Sequence, residues 1–589
     1  MIRRQENVIR PSIMEEKKAK MREERLRKKA LAAEDIVRLI KYGNITEARQ
    51  NLIFYTDPSI FREKMDSIIK LLNQDFQRAK RETRKHLLVF LAKLTLDLMS
   101  FLPQWNLKNR AIREEIALTD EDIEIQITQN REILASWTGH ERALAKELLE
   151  EWLDEVKSRF KIEGISDERK AEEFAAKLVG RSILEYINNM RDSFQSSNLK
   201  RICEQRASGL TQTEIGNDHT TNLEYAMWLG ASFVTTNPQL AEITLELNPE
   251  SWTFRVDEII KSKCSQEELC KLMRKGSQKD IEDLLEEMNT QITMEIVIEN
   301  AKLLRGIFLL SEGQKGLVCL QVNPLKHSDA DAMIREALST YSKLTERFRS
   351  VPNVVFKLPA TKAGLEAAKE LTNRGIGVTI TVSFGLFQAL PFAENINNGQ
   401  AIVSYLVVMN GRLANSVIDE LKKIGEDFAQ AGRWAGVAVS KRLYQKLYAP
   451  IDKGGQGYDS KKIRIIVASL RNYEGSFPDI TEVVGVPIIT VFPNIRRDFD
   501  SEGVEINPMQ IEKPVDDKIL EKLFKSELFK QAYYATNDND EMRPSSPFSL
   551  NDEEKVLEYP PVRNTLGQFC EYRIKMREFV RCRLSTLCG

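Results

Sequence analysis

A lysine closes a strand whose pattern calls for burial on both faces. Val354, Val355 and Phe356 form a short apolar run suited to the interior of a parallel sheet, and Lys357 follows it directly. Burial disfavours an ammonium and lowers its pKa, leaving a free amine that can attack a carbonyl and form a Schiff base. The plain alternative is an amphipathic lysine whose head reaches water or a carboxylate. Other chemistry-bearing residues stand at the ends of neighbouring apolar runs. They include Glu214, the triplet Asn217-Asp218-His219, Thr235-Thr236-Asn237-Pro238 and Gln321-Val322-Asn323-Pro324. Thr379, Thr381 and Ser383 follow, then Asn410-Gly411-Arg412 and Ser469-Leu470-Arg471-Asn472. One amine, one carboxylate, several small hydrogen-bonding groups and two arginines suit a phosphorylated polyhydroxy substrate, since arginine offers forked donors to phosphate.

These residues need a scaffold that gathers strand ends. Asn353 to Ala389 reads as one strand–helix–strand unit: Pro359 stops the strand, Thr361 is placed to cap the helix, and Gly375 sits where a helix end wants a left-handed residue. From about residue 200 short β-rich runs alternate with helical segments. They are Ser208–Thr213, Ser232–Thr236, Leu317–Val322, Val354–Leu358, Val378–Phe384, Ile402–Val408, Ile463–Ser469 and Ile488–Phe492. Eight such runs predict an α/β protein with a (β/α)₈ TIM barrel, whose reactive groups belong at the carboxyl ends of the strands. Trp434 to Tyr448 imitates a further strand, but Val437, Lys441, Tyr444 and Leu447 keep helical spacing. The span from Glu242 to Leu309 is helical, acidic and larger than an ordinary crossover.

The chain has 589 residues, too many for one core, with 86 basic and 87 acidic side chains and 42% hydrophobic residues. That balance supplies no global field for nucleic acid or membrane. Seven cysteines without C-x-x-C pairs suit a reducing cytoplasm, and four histidines leave little material for metal sites or Ser-His-Asp triads. The amino terminus lacks the apolar core of a secretory signal, and Leu87 to Leu102, interrupted by Lys93 and Asp97, reads as a buried helix rather than a membrane span. Residues 1–33 are a charged helical or flexible lead-in, and 34–195 an α-helical accessory domain able to hold a second copy or a protein partner. The barrel takes 196–510, and 511–589 form a helical extension packed on it. His219 and His327 read as exposed loop residues, and Asp218 taken alone serves equally as a cap for the helix starting near Thr221 or as a reactive carboxyl.

Thr235-Thr236-Asn237-Pro238, then Phe356-Lys357-Leu358-Pro359-Ala360-Thr361, then the run from Gly375 to Gln388-Ala389 resemble the transaldolase family, over about residues 205–495. The resemblance implies a Schiff-base enzyme that transfers a dihydroxyacetone unit between sugar phosphates, as in the pentose phosphate pathway, without metal or organic cofactor. It assigns Lys357 to the Schiff base, Asp218 to general acid/base work and Thr381 to positioning water. Asn237 holds a substrate hydroxyl, and Arg412, Ser469 and Arg471 bind phosphate.

The chain departs from that pattern at three places. Gln321 stands where transaldolases have a water-ordering glutamate, as in the fructose-6-phosphate aldolases, which favours simple aldol cleavage. Thr379 replaces an asparagine among the substrate contacts. Strand six lacks the family's Ser-Pro-aromatic pattern, with Ser404-Tyr405 as its nearest substitute. An alternative of another class is a catalytically impaired barrel serving the helical region as a sugar-phosphate scaffold or sensor.

Overall fold

The computed structural model describes residues 12–101, 119–247, 249–263 and 265–588. Its centre is a closed barrel of eight parallel strands, each paired with its neighbours in chain order. They are β1 (Glu214–Asn217), β2 (Ala231–Val234), β3 (Leu317–Gln321), β4 (Val354–Pro359), β5 (Val378–Thr381), β6 (Ser404–Met409), β7 (Ile463–Ala468) and β8 (Ile488–Val491). Pairing of β1 with β8 closes the ring. All strand residues are buried, because side chains fill the inside and helices cover the outside. This is why β4, β6 and β7 are mostly apolar along their whole length. The fold is thus the expected (β/α)₈ barrel, with further helices before and after it.

The first strand is a correction. Ser208–Thr213 is not extended: Gly209 turns the chain with φ 74° and the Thr213 hydroxyl donates to the Val486 carbonyl at 2.8 Å. The strand is instead Glu214–Asn217, whose single aliphatic side chain, Ile215, gives pattern reading nothing to hold. Glu214 therefore lies inside the amino-terminal end of the barrel and not in a loop at its mouth. Residues 435–448 form a helix as their spacing predicts, and Thr361 caps the helix Lys362–Asn373 by accepting the Gly364 N–H.

Helices from Ile13 to Ala207 pack along one flank and share a continuous apolar core with the barrel. Buried ion pairs stitch this junction: Arg49 reaches Asp97 and Glu224, Arg305 reaches Glu24, and Arg496 reaches Glu163. The charged first helix, Ile13–Lys29, is docked rather than free, with Met21 fully buried. Leu87 and Leu91 lie in the core as expected, while Leu102 falls outside the described residues. Among the described residues no helix is long and apolar enough to cross a membrane.

The long β2–β3 connection consists of helices Pro238–Leu247, Pro249–Lys263, Gln266–Lys275 and Gln278–Leu310. They build a second apolar core, separate from the first, whose other wall is the far half of the last helix, Pro560–Leu587. Trp252 and Ile292 meet Met576, Val580 and Leu584 there. The insertion thus fixes where the end of the chain lies.

Candidate active site

A cavity of about 390 Å³ opens at the carboxyl ends of the strands. Strand alternation sends Val355 and Lys357 of β4 inward, while Val354, Phe356 and Leu358 face the helices. Lys357 lines the cavity and is only 5% exposed. Its Nζ donates to the Thr236 carbonyl at 2.9 Å. Burial pushes its pKa down and Arg412 adds to the effect, against the pull of Cys319 and Asp218. Burial in a pocket thus favours the free amine, the form that attacks a carbonyl.

Asp218 lines the same cavity from the end of β1. It does not cap a helix; its Oδ1 accepts the Thr235 hydroxyl at 2.6 Å, and Thr235 shares a 2.7 Å contact with the Thr490 hydroxyl. Burial raises the Asp218 pKa, while Lys357, the Thr235 bond and the two arginines hold it down. A carboxyl so placed can exchange a proton with a substrate hydroxyl. Thr381, from β5, also lines the cavity, and its buried hydroxyl has no hydrogen-bond partner. An orphan hydroxyl at a cavity wall is a place for a ligand oxygen or a water. Asn237 engages its side-chain oxygen with the Leu240 N–H at 2.9 Å, which leaves its NH₂ for a ligand.

The opposite wall is cationic. Arg412 lies in the first turn of the helix Asn410–Leu421, beneath the ring of Phe569. Arg471 follows β7, its Nη1 donating to the Ser469 and Leu470 carbonyls at 3.1 Å. Ser469 takes a left-handed φ of 62°, a strained turn that brings its carbonyl to the Gly411 N–H at 3.0 Å. A Cβ on Gly411 would meet that carbonyl at 2.2 Å, so only glycine lets the two loops close. Asp479, fully buried with its pKa pushed up to about 7 by burial, accepts the Arg471 N–H at 3.1 Å and steadies the turn.

The structure therefore gathers Lys357, Asp218, Thr381, Asn237, Arg412, Ser469 and Arg471 around one cavity. Two expected residues stay outside its lining. Thr379 is fully buried, within 3.3 Å of the Cys319 sulfur, because it lies one inward position below Thr381 on β5. Gln321 is the register partner of Lys357 across β3 and β4, and its Oε1 is buried without a hydrogen-bond partner. Ser404-Tyr405 does not stand in for the missing motif of strand six. Ser404 accepts the Val378 N–H, Tyr405 packs on Phe233 deeper in the barrel, and Val407 and Met409 reach the cavity instead.

His219 is not exposed. It is 1% accessible, its Nδ1 accepts the Thr221 N–H at 3.1 Å, and burial and then Arg496 push its pKa down to about 4. His327 is half-buried. Sequence reasoning missed Phe569, which lines the cavity from the last helix, and Asn494, just past β8. The strand-end rule would have found Asn494; nothing local marks Phe569. Among the described residues no group of three or more His, Cys, Asp or Glu side chains is gathered to hold a metal ion.

The family described as Transaldolase/Fructose-6-phosphate aldolase matches residues 213–544, more than half of the 589 residues. A Transaldolase of Frankia alni is 27% identical over 248 residues, covering 38% of this chain and 65% of the relative. Transaldolase 1 of Streptomyces coelicolor is 36% identical over 228 residues, 35% of this chain and 58% of its own length. A Transaldolase of Mycolicibacterium paratuberculosis is 28% identical over 166 residues, 26% and 42%. The chain spans about two fifths to two thirds of the length of these relatives. The matched segment contains all eight strands, and the chain belongs to the transaldolase/fructose-6-phosphate aldolase family.

Proposed function

We propose that this protein is a Schiff-base enzyme that transfers a dihydroxyacetone unit between sugar phosphates. The observation that carries the reading is the meeting of a buried amine, Lys357, a carboxyl, Asp218, and two guanidiniums, Arg412 and Arg471, around one cavity. Lys357 attacks the ketose carbonyl and water leaves, giving a protonated imine. Asp218 takes the proton of the hydroxyl next to the bond that breaks, and the electron pair of that bond flows into the imine to leave an enamine. Thr381 and Asn237 hold substrate oxygens or water, and Arg412, Arg471 and Ser469 take the phosphate. Thr379 has no direct contact in this reading. The reaction is placed in the cytoplasm, and the helical region 34–195 offers a face for a second copy or a protein partner.

Plain cleavage of the fructose-6-phosphate aldolase type is the second reading. Gln321 favours it, because an amide beside Lys357 can order water but cannot relay a proton. A barrel that only bound sugar phosphates would have no use for a buried amine facing a carboxyl across the cavity. Incubation with fructose 6-phosphate, borohydride reduction and mass spectrometry test the proposal. An adduct on Lys357 supports the Schiff base, and its absence with every ketose phosphate sinks it. Erythrose 4-phosphate then separates transfer from cleavage by the appearance of a seven-carbon ketose phosphate.

A further inference from the structure

The last helix, Pro560–Leu587, carries one stripe of side chains across the mouth of the barrel. Thr565 receives the Arg412 guanidinium at 3.5 Å. One turn on, the Phe569 ring centroid lies 5.8 Å from the Lys357 Nζ and 5.7 Å from the Arg412 Cζ. A further turn brings Arg573, whose Nε and Nη2 donate to Glu286 Oε2 at 3.0 and 2.8 Å. The same oxygen accepts the side-chain amide of Asn323, which follows β3. The rest of the stripe enters the second core. Phe569 is 1% exposed and lines the cavity, so its ring is pinned from both ends of the helix and not draped loosely over the opening.

We infer that Phe569 is a specificity-determining residue of this site: the last helix lays its ring over the amine of Lys357 and shuts water out on that side. The site then passes a bound carbon fragment to a second carbonyl in preference to releasing it. The inference rests on the proposed Schiff-base reaction. There the enamine on Lys357 has two exits. In transfer, its carbon attacks the acceptor carbonyl, a carbon–carbon bond forms, and the new alkoxide takes the proton held by Asp218. In release, the same carbon takes a proton from a water at the amine's side, and that water recovers one from Asp218. Both exits end when one water adds to the iminium and the amine departs neutral, so they differ only in what reaches the enamine carbon first. A ring over the amine and Arg412 fills room that water would take, while Ser469 and Arg471 still line the cavity for an acceptor. Phe569 lies beyond residue 544, outside the family-matched segment. The control therefore comes from a part of the chain that the barrel does not specify.

Phe569→Ala and Phe569→Leu in the full chain test this with two readouts. The first needs no sugar: trace acetylation of Lys357 by acetic anhydride across pH, read by mass spectrometry. Asp218, Arg412 and Cys319 face the amine in every variant, so a change reports the ring. The midpoint should move up toward an ordinary lysine in the alanine variant and by less in the leucine variant. The second is the ratio of transfer to released dihydroxyacetone from a ketose phosphate, expected to shift about tenfold toward release. A folded alanine variant with both readouts unmoved overturns the inference. If the alanine variant does not fold, the leucine variant decides by the same two signs. If the wild type traps no ketose adduct, the Schiff-base reading fails by itself, and the acetylation midpoint still tells whether Phe569 roofs the amine.

Discussion

The two ends of the barrel bury ionic groups in opposite ways. At the amino-terminal end Glu214 is 2% exposed and fully partnered: Lys315 at 2.7 Å, Arg464 at 3.0 Å and the Ser232 hydroxyl at 2.9 Å. Burial alone would raise its pKa, but Arg464 and Lys315 outweigh it and hold the carboxylate well below the usual range. At the carboxyl-terminal end the amine of Lys357 has one backbone carbonyl, and the Thr381 hydroxyl has no partner. Similar residue types at one end fill the barrel and at the other are left short of partners around an open cavity. Unmet hydrogen-bonding capacity around an open cavity is what marks a place prepared for a ligand.

Substitutions can break this contrast, and the largest effect belongs to the open end. Lys357→Met is expected to abolish the borohydride-trapped adduct and lower turnover by about 10³-fold or more. Its melting temperature should hold, because an apolar chain replaces a poorly partnered buried amine. Turnover near wild type would move the chemistry away from β4. Glu214→Gln should do the reverse, costing about 3–5 kcal/mol in denaturant unfolding by removing the charge that faces Arg464 and Lys315. What Glu214 contributes is present above the ordinary glutamate range and is lost as pH falls. A Glu214→Gln chain as stable as wild type would mean the closed end is mere filling.

Smaller effects sharpen the comparison. Arg471→Ala should raise KM for phosphorylated donors by about 10²-fold and leave free dihydroxyacetone almost unaffected, as loss of a charge-assisted phosphate contact implies. Equal losses for both donors would contradict the phosphate role. Thr381→Val should change stability by no more than about 0.5 kcal/mol, since the hydroxyl has no partner to lose, while turnover drops about tenfold. Last is a slope. The folded pKa of Lys357 lies below its unfolded value, so the unfolded chain holds more protons and wild-type stability rises with pH through that window. Lys357→Met should flatten the curve there, measurable by urea unfolding at several pH values; an unchanged slope would mean that the amine titrates normally.

Legibility followed how local the cause was. Strands β3 to β8 stood out because burial on both faces demands runs rich in apolar and β-branched residues, and Thr361 and Gly375 announced their helix because capping acts within a few residues. β1 was misplaced because its four residues satisfy neighbours far along the chain, Glu214 answering Lys315 and Arg464. Lys357, Asp218 and Arg471 meet around one cavity because a barrel collects strand ends. Thr379 lies below the cavity lining, since alternation names a face but not a depth. His219 was misjudged because its cover includes Phe492, beyond the far end of β8, with ring centroids 5.7 Å apart.

By itself, then, the sequence determined the periodicity, the strand ends and the residue types that can do chemistry there, because those follow from contacts between chain neighbours. Only the tertiary structure decided which of those groups are left without partners and what closes the cavity. The roof is Phe569, held by an insertion almost three hundred residues earlier through Arg573 and Glu286. A contact between segments so distant leaves no periodic trace in either one, and it exists only once both have packed.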